Sequence, residues 1–218
     1  MHQHVASQTL THFPSDTVEA ETYSKDITYR FNDNGFRCDY NMSNGLKSMN
    51  VNLFLGCSNT LGIGVNLEET WCYHVNASFG GTRTMLNMGQ GGGSAETCYR
   101  LAQHWIPIIK PRAVYMLSPP ATRREFWLDS TTPEIFGPRS TLPSHMVSEQ
   151  EIQINRARVV DAIENICNKN NASFSYGYMR HLFDAWNQGP RKGSFPDLGR
   201  DGMHPGPKTH KAIANHFK

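Results

Sequence analysis

The sequence predicts a three-layer α/β/α sandwich built on a central parallel sheet. Three observations predict it. Short apolar runs near 50–55, 82–88, 113–117 and 172–178 alternate with longer segments of helical spacing, the pattern of a parallel sheet covered on both faces. The first run, Val-Asn-Leu-Phe-Leu, stops abruptly in Gly56-Cys57-Ser58-Asn59-Thr60, with further glycines at 62 and 64, as buried strands do when they end in tight turns. And 218 residues, with no linker and no internal repeat, suit one such domain.

Taken in order, residues 1–22 are polar, without periodic apolar spacing, and 1–26 are expected to form an arm or a poorly ordered lead-in ahead of a single domain over 27–218. Residues 27–32 alternate enough for a short strand. Asn32-Asp33-Asn34-Gly35 is turn chemistry, and Phe36-Arg37 then leads into the first core strand as a lid on one sheet edge. Asn66 and Glu69 have the spacing of a capping box and predict a helix running to about 76, with Trp71, Cys72 and Val75 inward. Gly80-Gly81 ends it. A strand follows over 82–88, then Gly89-Gln90-Gly91-Gly92-Gly93-Ser94. Three consecutive glycines imply that something approaches the backbone closely. Ser94 is the expected N-cap of a helix over 95–109 that Pro111 helps to stop.

Residues 113–117 read as a strand ended by Ser118-Pro119-Pro120, and 121–147 as a long irregular insertion. Ser148-Glu149-Gln150-Glu151 opens a helix that keeps Ile152, Val159, Ile163 and Ile166 near one face. A last core strand is expected over 172–178, a loop with Trp186 over 179–200, and a terminal helix over 207–218.

Composition excludes several classes. A formal charge of +2 gives no basic footprint for nucleic acid, so no nucleic-acid partner is expected. No run approaches the ~18–20 apolar residues of a membrane helix, and the polar start lacks a basic-then-apolar leader. Both favour a cytoplasmic location, although release by lysis, as from a virus, would need no leader. Five cysteines without Cys-x-x-Cys read as free buried thiols, and ten histidines lack ligand spacing, so neither metal nor cofactor is expected.

The residues with chemistry lie at the two ends of the domain. Ser58 follows the first core strand, where open α/β sheets bind ligands. Near the C-terminus, Asp201-Gly202-Met203-His204 offers a base and its orienting carboxylate from one loop. Cys57, beside Ser58, is an alternative nucleophile. This order of Ser, then Asp-x-x-His, resembles the SGNH (GDSL-like) hydrolases over roughly residues 27–218. The resemblance implies a flavodoxin-like sheet and a serine esterase with Ser58 as nucleophile, His204 as base and Asp201 as its partner. It implies oxyanion donors at the Ser58 amide and at Gly92, with Gly91 one residue away. The family's third donor is an Asn in Gly-x-Asn-Asp after the third strand, and this chain has Leu117-Ser118-Pro119-Pro120 there.

Ser118, Thr122 or Arg123 could serve in place of that Asn. Arg123 and Arg124 could instead contact an acidic substrate or form surface ion pairs. Phe126, Trp127, Phe136 and Trp186, in the two long loops, could hold a sugar ring, which makes an acylated carbohydrate a candidate substrate beside other small-molecule esters. The missing Asn also leaves open a decayed SGNH domain kept as a glycan-binding or assembly module.

Overall fold

The computed structural model of the chain describes residues 9–12, 27–38, 40, 50–127, 133–136, 148–179 and 195–218. In chain order the elements are β1 (Thr9–His12), β2 (Ile27–Arg30), β3 (Val51–Leu55), α1 (Ser58–Leu61), a 3₁₀ turn (Leu67–Glu69), α2 (Trp71–Ala77), β4 (Thr84–Asn87), α3 (Ala95–Ile109), β5 (Ala113–Ser118), β6 (Arg124–Trp127), β7 (Pro133–Phe136), α4 (Glu149–Lys169), β8 (Ser173–Tyr178) and α5 (Pro207–His216).

Among the described residues, four parallel strands form the central sheet in the order β4-β3-β5-β8. All five residues of β3 are buried because both faces of the sheet are covered. Val51, Leu53 and Leu55 join Cys98, Leu101, Ala102 and Ile106 of α3 and Ile163 and Cys167 of α4 in one core. Phe54 points the other way, into a second core with Trp71, Cys72 and Val75 of α2 and Ile213 and Ala214 of α5. The period-two alternation of a strand thus divides one apolar run between two layers. Asn52, also wholly buried, is satisfied: its amide donates to Asn76 Oδ1 at 3.0 Å, and Arg83 donates to its Oδ1 at 3.0 Å.

Among the described residues the expected core elements form, with three differences, and most of the loop expected over 179–200 lies outside those residues. The helix predicted from Asn66 to about 76 is two pieces. Asn66 N–H does donate to Glu69 Oε2 at 2.8 Å, as the capping box requires, but only the 3₁₀ turn follows. Thr70 is extended (φ −72°, ψ 152°); its hydroxyl donates to Leu67 O at 2.7 Å and accepts from Tyr73 N–H at 3.2 Å, closing one turn and opening α2. The insertion at 121–147, expected to be irregular, contains the antiparallel β6–β7 pair. Ion pairs strap β6 onto α3: Arg100 Nε to Glu125 Oε1 at 2.8 Å and Arg124 Nε to Glu96 Oε1 at 2.6 Å. The arm expected over 1–26 supplies β1, which pairs antiparallel with β2. All five cysteines are free and buried.

His210, on α5, is wholly buried and accepts from Trp71 N–H through Nδ1 at 3.1 Å. Burial, with the nearby charge of Arg37, pushes its pKa from 6.5 down to about 3. The folded value lies below the unfolded one, so as pH falls below about 6.5 the unfolded chain takes up the proton first. Stability is therefore expected to fall from there down to about pH 3, at roughly 1.4 kcal/mol per pH unit. His210→Asn, which keeps an acceptor for Trp71, should flatten the melting temperature between pH 6.5 and 4. A wild-type slope unchanged in the variant would contradict this.

Candidate active site

The site is built around the exit from β3. Gly56 turns the chain, and Cys57 is the extended residue (φ −99°, ψ −151°) at which α1 begins with Ser58. There is no room for a side chain at Gly56: a Cβ would lie 1.9 Å from Thr60 Oγ1 and 2.8 Å from Leu117 O. Gly62 ends α1 in the left-handed conformation (φ 80°), its N–H donating to Ser58 O. Ser58 is 6 % exposed, and its hydroxyl has no hydrogen-bond partner among the described residues.

The segment after β4 docks under this turn. Gln90 N–H donates to Gly56 O at 3.0 Å, and the buried Asn87 side chain donates to Thr60 O at 2.8 Å while accepting from Gly89 N–H at 2.9 Å. The close approach expected of the three consecutive glycines falls instead on Gly89, where a Cβ would lie 2.3 Å from Leu61 N. Gly91 and Gly92 are exposed, and a Cβ on Gly92 would meet nothing within 4 Å. Gly92 has φ 76°, and neither amide has a protein acceptor among the described residues.

Asp201 and His204 sit in a tight loop closed by the Leu198–Pro205 bridge and by Gly199 N–H donating to His204 O at 2.7 Å. Asp201 Oδ1 accepts from the N–H groups of Met203 and His204, at 3.3 and 3.1 Å, and Oδ2 pairs with His204 Nδ1. Burial pushes the Asp201 carboxyl up, but the hydrogen bonds from the His204 ring and from the two backbone amides outweigh it and hold the group below 3.8. The carboxylate thus stays ionised at neutral pH and occupies His204 Nδ1, so Nε2 is the ring nitrogen it does not engage.

This loop packs on the segment that follows α1. Arg200 N–H donates to Gly64 O at 2.9 Å, and a Cβ on Gly64 would lie 2.7 Å from Asp201 Oδ1. The structure therefore brings Asp201 against the loop that begins four residues after Ser58.

Ser118 ends β5 and is buried; the Leu55–Met116 register, continued past the strand ends, sets it level with Cys57. Arg123 Nη1 donates to Gly93 O at 3.5 Å, which sets its guanidinium beside the glycine loop. The alternatives for Arg124 resolve to its ion pair with Glu96. Trp127 is the last residue of β6, in register with Pro133, and Phe136 pairs with Arg124. Phe126 is 40 % exposed, and Trp186 lies outside the described residues. Among those residues no group of His, Cys, Asp and Glu gathers with metal-binding geometry, and no helix is long and apolar enough to cross a membrane.

Sequence reasoning did not single out Asn87 or Gly89, which touch the turn, or Tyr29, which accepts from Gly64 N–H in the segment after it. A buried Asn at the end of an apolar strand was the available signal for the first.

No protein-family model matches the chain, and no curated protein does. Its fold is similar to that of several solved structures. One is the esterase EstA from Pseudoalteromonas sp., at 14 % identity and TM-score 0.41, covering 77 % of this chain and 94 % of that one. Another is a member of the lipolytic protein G-D-S-L family from Veillonella parvula, at 11 % identity and TM-score 0.41, covering 76 % and 94 %. A third is the acetyl xylan esterase AlAXEase, at 14 % identity and TM-score 0.39, covering 77 % and 97 %. Likeness at this level concerns the course of the chain alone.

Proposed function

We propose that the chain is a serine esterase that cleaves a carboxylic ester of a small molecule or an acylated carbohydrate, in which Ser58 is the nucleophile, His204 the general base and Asp201 its orienting partner. The observation that carries this reading is the Asp201–His204 pair: its carboxylate is ionised, its ring nitrogen Nδ1 is occupied, and its loop is packed on the segment leaving the Ser58 helix. A carboxylate on Nδ1 fixes the tautomer that leaves Nε2 unprotonated, able to accept a proton from a serine hydroxyl.

In the reaction Ser58 Oγ attacks the ester carbonyl as His204 takes its proton. The tetrahedral oxyanion is held by the amides of Ser58 and Gly92, with Gly91 adjacent; the Gly91 and Gly92 amides lack a protein acceptor, which suits such a role. Collapse expels the alkoxide, protonated by His204, and leaves an acyl-enzyme. Water, deprotonated by His204, then releases the acid. Arg123 and Ser118 border the glycine loop and the turn and would take the place of the family's missing Asn. The reading needs no cofactor. Aromatic residues of the β6–β7 insertion favour a sugar as the alcohol, an acetylated carbohydrate being the first substrate to test.

Intact-mass measurement after treatment with a fluorophosphonate should show one adduct on the wild type and none on Ser58→Ala. No adduct on folded protein would remove the esterase reading and favour the glycan-binding alternative. Asp201→Asn is expected to lower ester turnover by ~10⁴ with the fold retained, because an amide stabilises the wrong tautomer and no imidazolium. Turnover within threefold of wild type would exclude Asp201 from the mechanism.

A further inference from the structure

We infer that Tyr29 and Arg37, which lie outside the catalytic set, form a positioning pair that fixes both halves of the site through the single loop 61–65. The inference rests on the esterase reading.

Arg37 is fully buried, and its guanidinium is spent on backbone carbonyls. Nη1 donates to Leu61 O at 2.9 Å and to Gly62 O, while Nη2 donates to Val65 O at 2.8 Å and to Thr28 O at 3.3 Å. Three of these acceptors are the last residue of the Ser58 helix, its C-cap, and the end of the loop that follows. The guanidinium fork matches a row of carbonyls that the left-handed turn at Gly62 leaves pointing inward. Burial draws the Arg37 pKa from 12.5 down to about 10, still well above neutrality, so the fork remains charged when the enzyme works.

Tyr29 completes the clamp from the other side. Its ring lies 4.2 Å from the Arg37 guanidinium, and its Oη accepts from Gly64 N–H at 2.8 Å. Gly64 is the residue against which Asp201 rests, with φ 86° and no room for a Cβ. Its carbonyl accepts from Arg200 N–H in the Asp201 loop. Arg37 therefore sets where the Ser58 helix ends, and Tyr29 sets where the surface behind Asp201 lies. Both hold the same few residues. The β2 strand and the lead-in act as a buttress of the site as well as a cover for the sheet edge.

Tyr29→Phe keeps the ring over Arg37 and deletes only the acceptor for Gly64. Arg37→Lys keeps the charge and loses the fork. Each is expected to lower kcat on an activated acetyl ester about tenfold, a shift of under an ångström at the reacting atoms being enough. KM should stay within twofold, and the fluorophosphonate rate at Ser58 should fall in parallel with kcat. Because both act through one loop, the double variant should fall well short of a hundredfold. A role in stability alone would lower the melting temperature and leave kcat and labelling of the folded protein at wild-type values. That result in Tyr29→Phe, the milder variant, would overturn the inference. If the wild type itself is not labelled at Ser58, the esterase reading fails first, and the two failures are distinct.

Discussion

Ser58→Ala is expected to lower ester turnover by ~10⁴–10⁶ while leaving the fold and melting temperature close to wild type. The magnitude follows from what the hydroxyl does. In a triad the nucleophile, base and orienting carboxylate act as one unit, so losing the nucleophile costs about as much as losing all three. Residual catalysis would come from the oxyanion donors and from binding alone. Stability should be insensitive because Ser58 Oγ has no hydrogen-bond partner among the described residues, and an alanine at the first position of α1 fits the space. This combination separates a catalytic serine from a structural one. A structural serine, bonded to its neighbours, would cost stability and leave any turnover in proportion to the folded fraction. Measuring kcat and the melting temperature on the same preparation decides it. Turnover retained in Ser58→Ala and lost in Cys57→Ser would transfer the role to the adjacent thiol, although Cys57 is buried at 3 % exposure.

The layers of the fold were legible in the sequence because apolar periodicity and cap chemistry are local signals. Val51–Leu55 reads as a buried strand without knowledge of any partner, and Ser94 and Ser148 cap their helices as their spacing predicts. The break at Thr70 was not legible, since Asn66 and Glu69 satisfy the capping box equally well for a 3₁₀ turn. The β6–β7 pair was hidden for another reason. Its first strand is held to α3 by charges at Glu96, Arg100, Arg124 and Glu125, and neither pairing partner can be found from one short stretch alone. At the proposed site, Ser58, Asp201 and His204 are picked out by residue type, order and the resemblance that order carries. The residues that hold them are not. Arg37 contacts Leu61 and Val65 across 24 and 28 positions, and Tyr29 reaches Gly64 across 35; such partners have no periodicity to betray them.

Gly89→Ala is expected to be severely damaging, and for a reason the glycine-rich run obscures. That run predicts a backbone that something approaches closely. At Gly92 a Cβ would meet open space, and only the left-handed φ of 76° would cost, about 1–2 kcal/mol. At Gly89 the obstacle is the protein itself. A Cβ would lie 2.3 Å from Leu61 N, 2.7 Å from Thr60 C and 2.9 Å from Leu61 Cα, all backbone atoms of the Ser58 helix, which cannot rotate away as a side chain does. Relief requires moving the helix or the strand end. The helix is fixed by Asn87 to Thr60 O, by Arg37 to Leu61 O and by Thr60 Oγ1 to Leu55 O. Overpacking costs typically about 1–3 kcal/mol, and backbone that cannot relax puts Gly89→Ala at the upper end, on the order of 10 °C in melting temperature for a domain of this size. Any folded fraction should also have lost fluorophosphonate labelling, since the methyl displaces the turn that presents Ser58. Gly92→Ala, by contrast, should melt within a few degrees of wild type. Equal melting temperatures for the two variants would mean that the segment after β4 does not pack beneath the Ser58 turn, and the arrangement of the two loops would have to be revised.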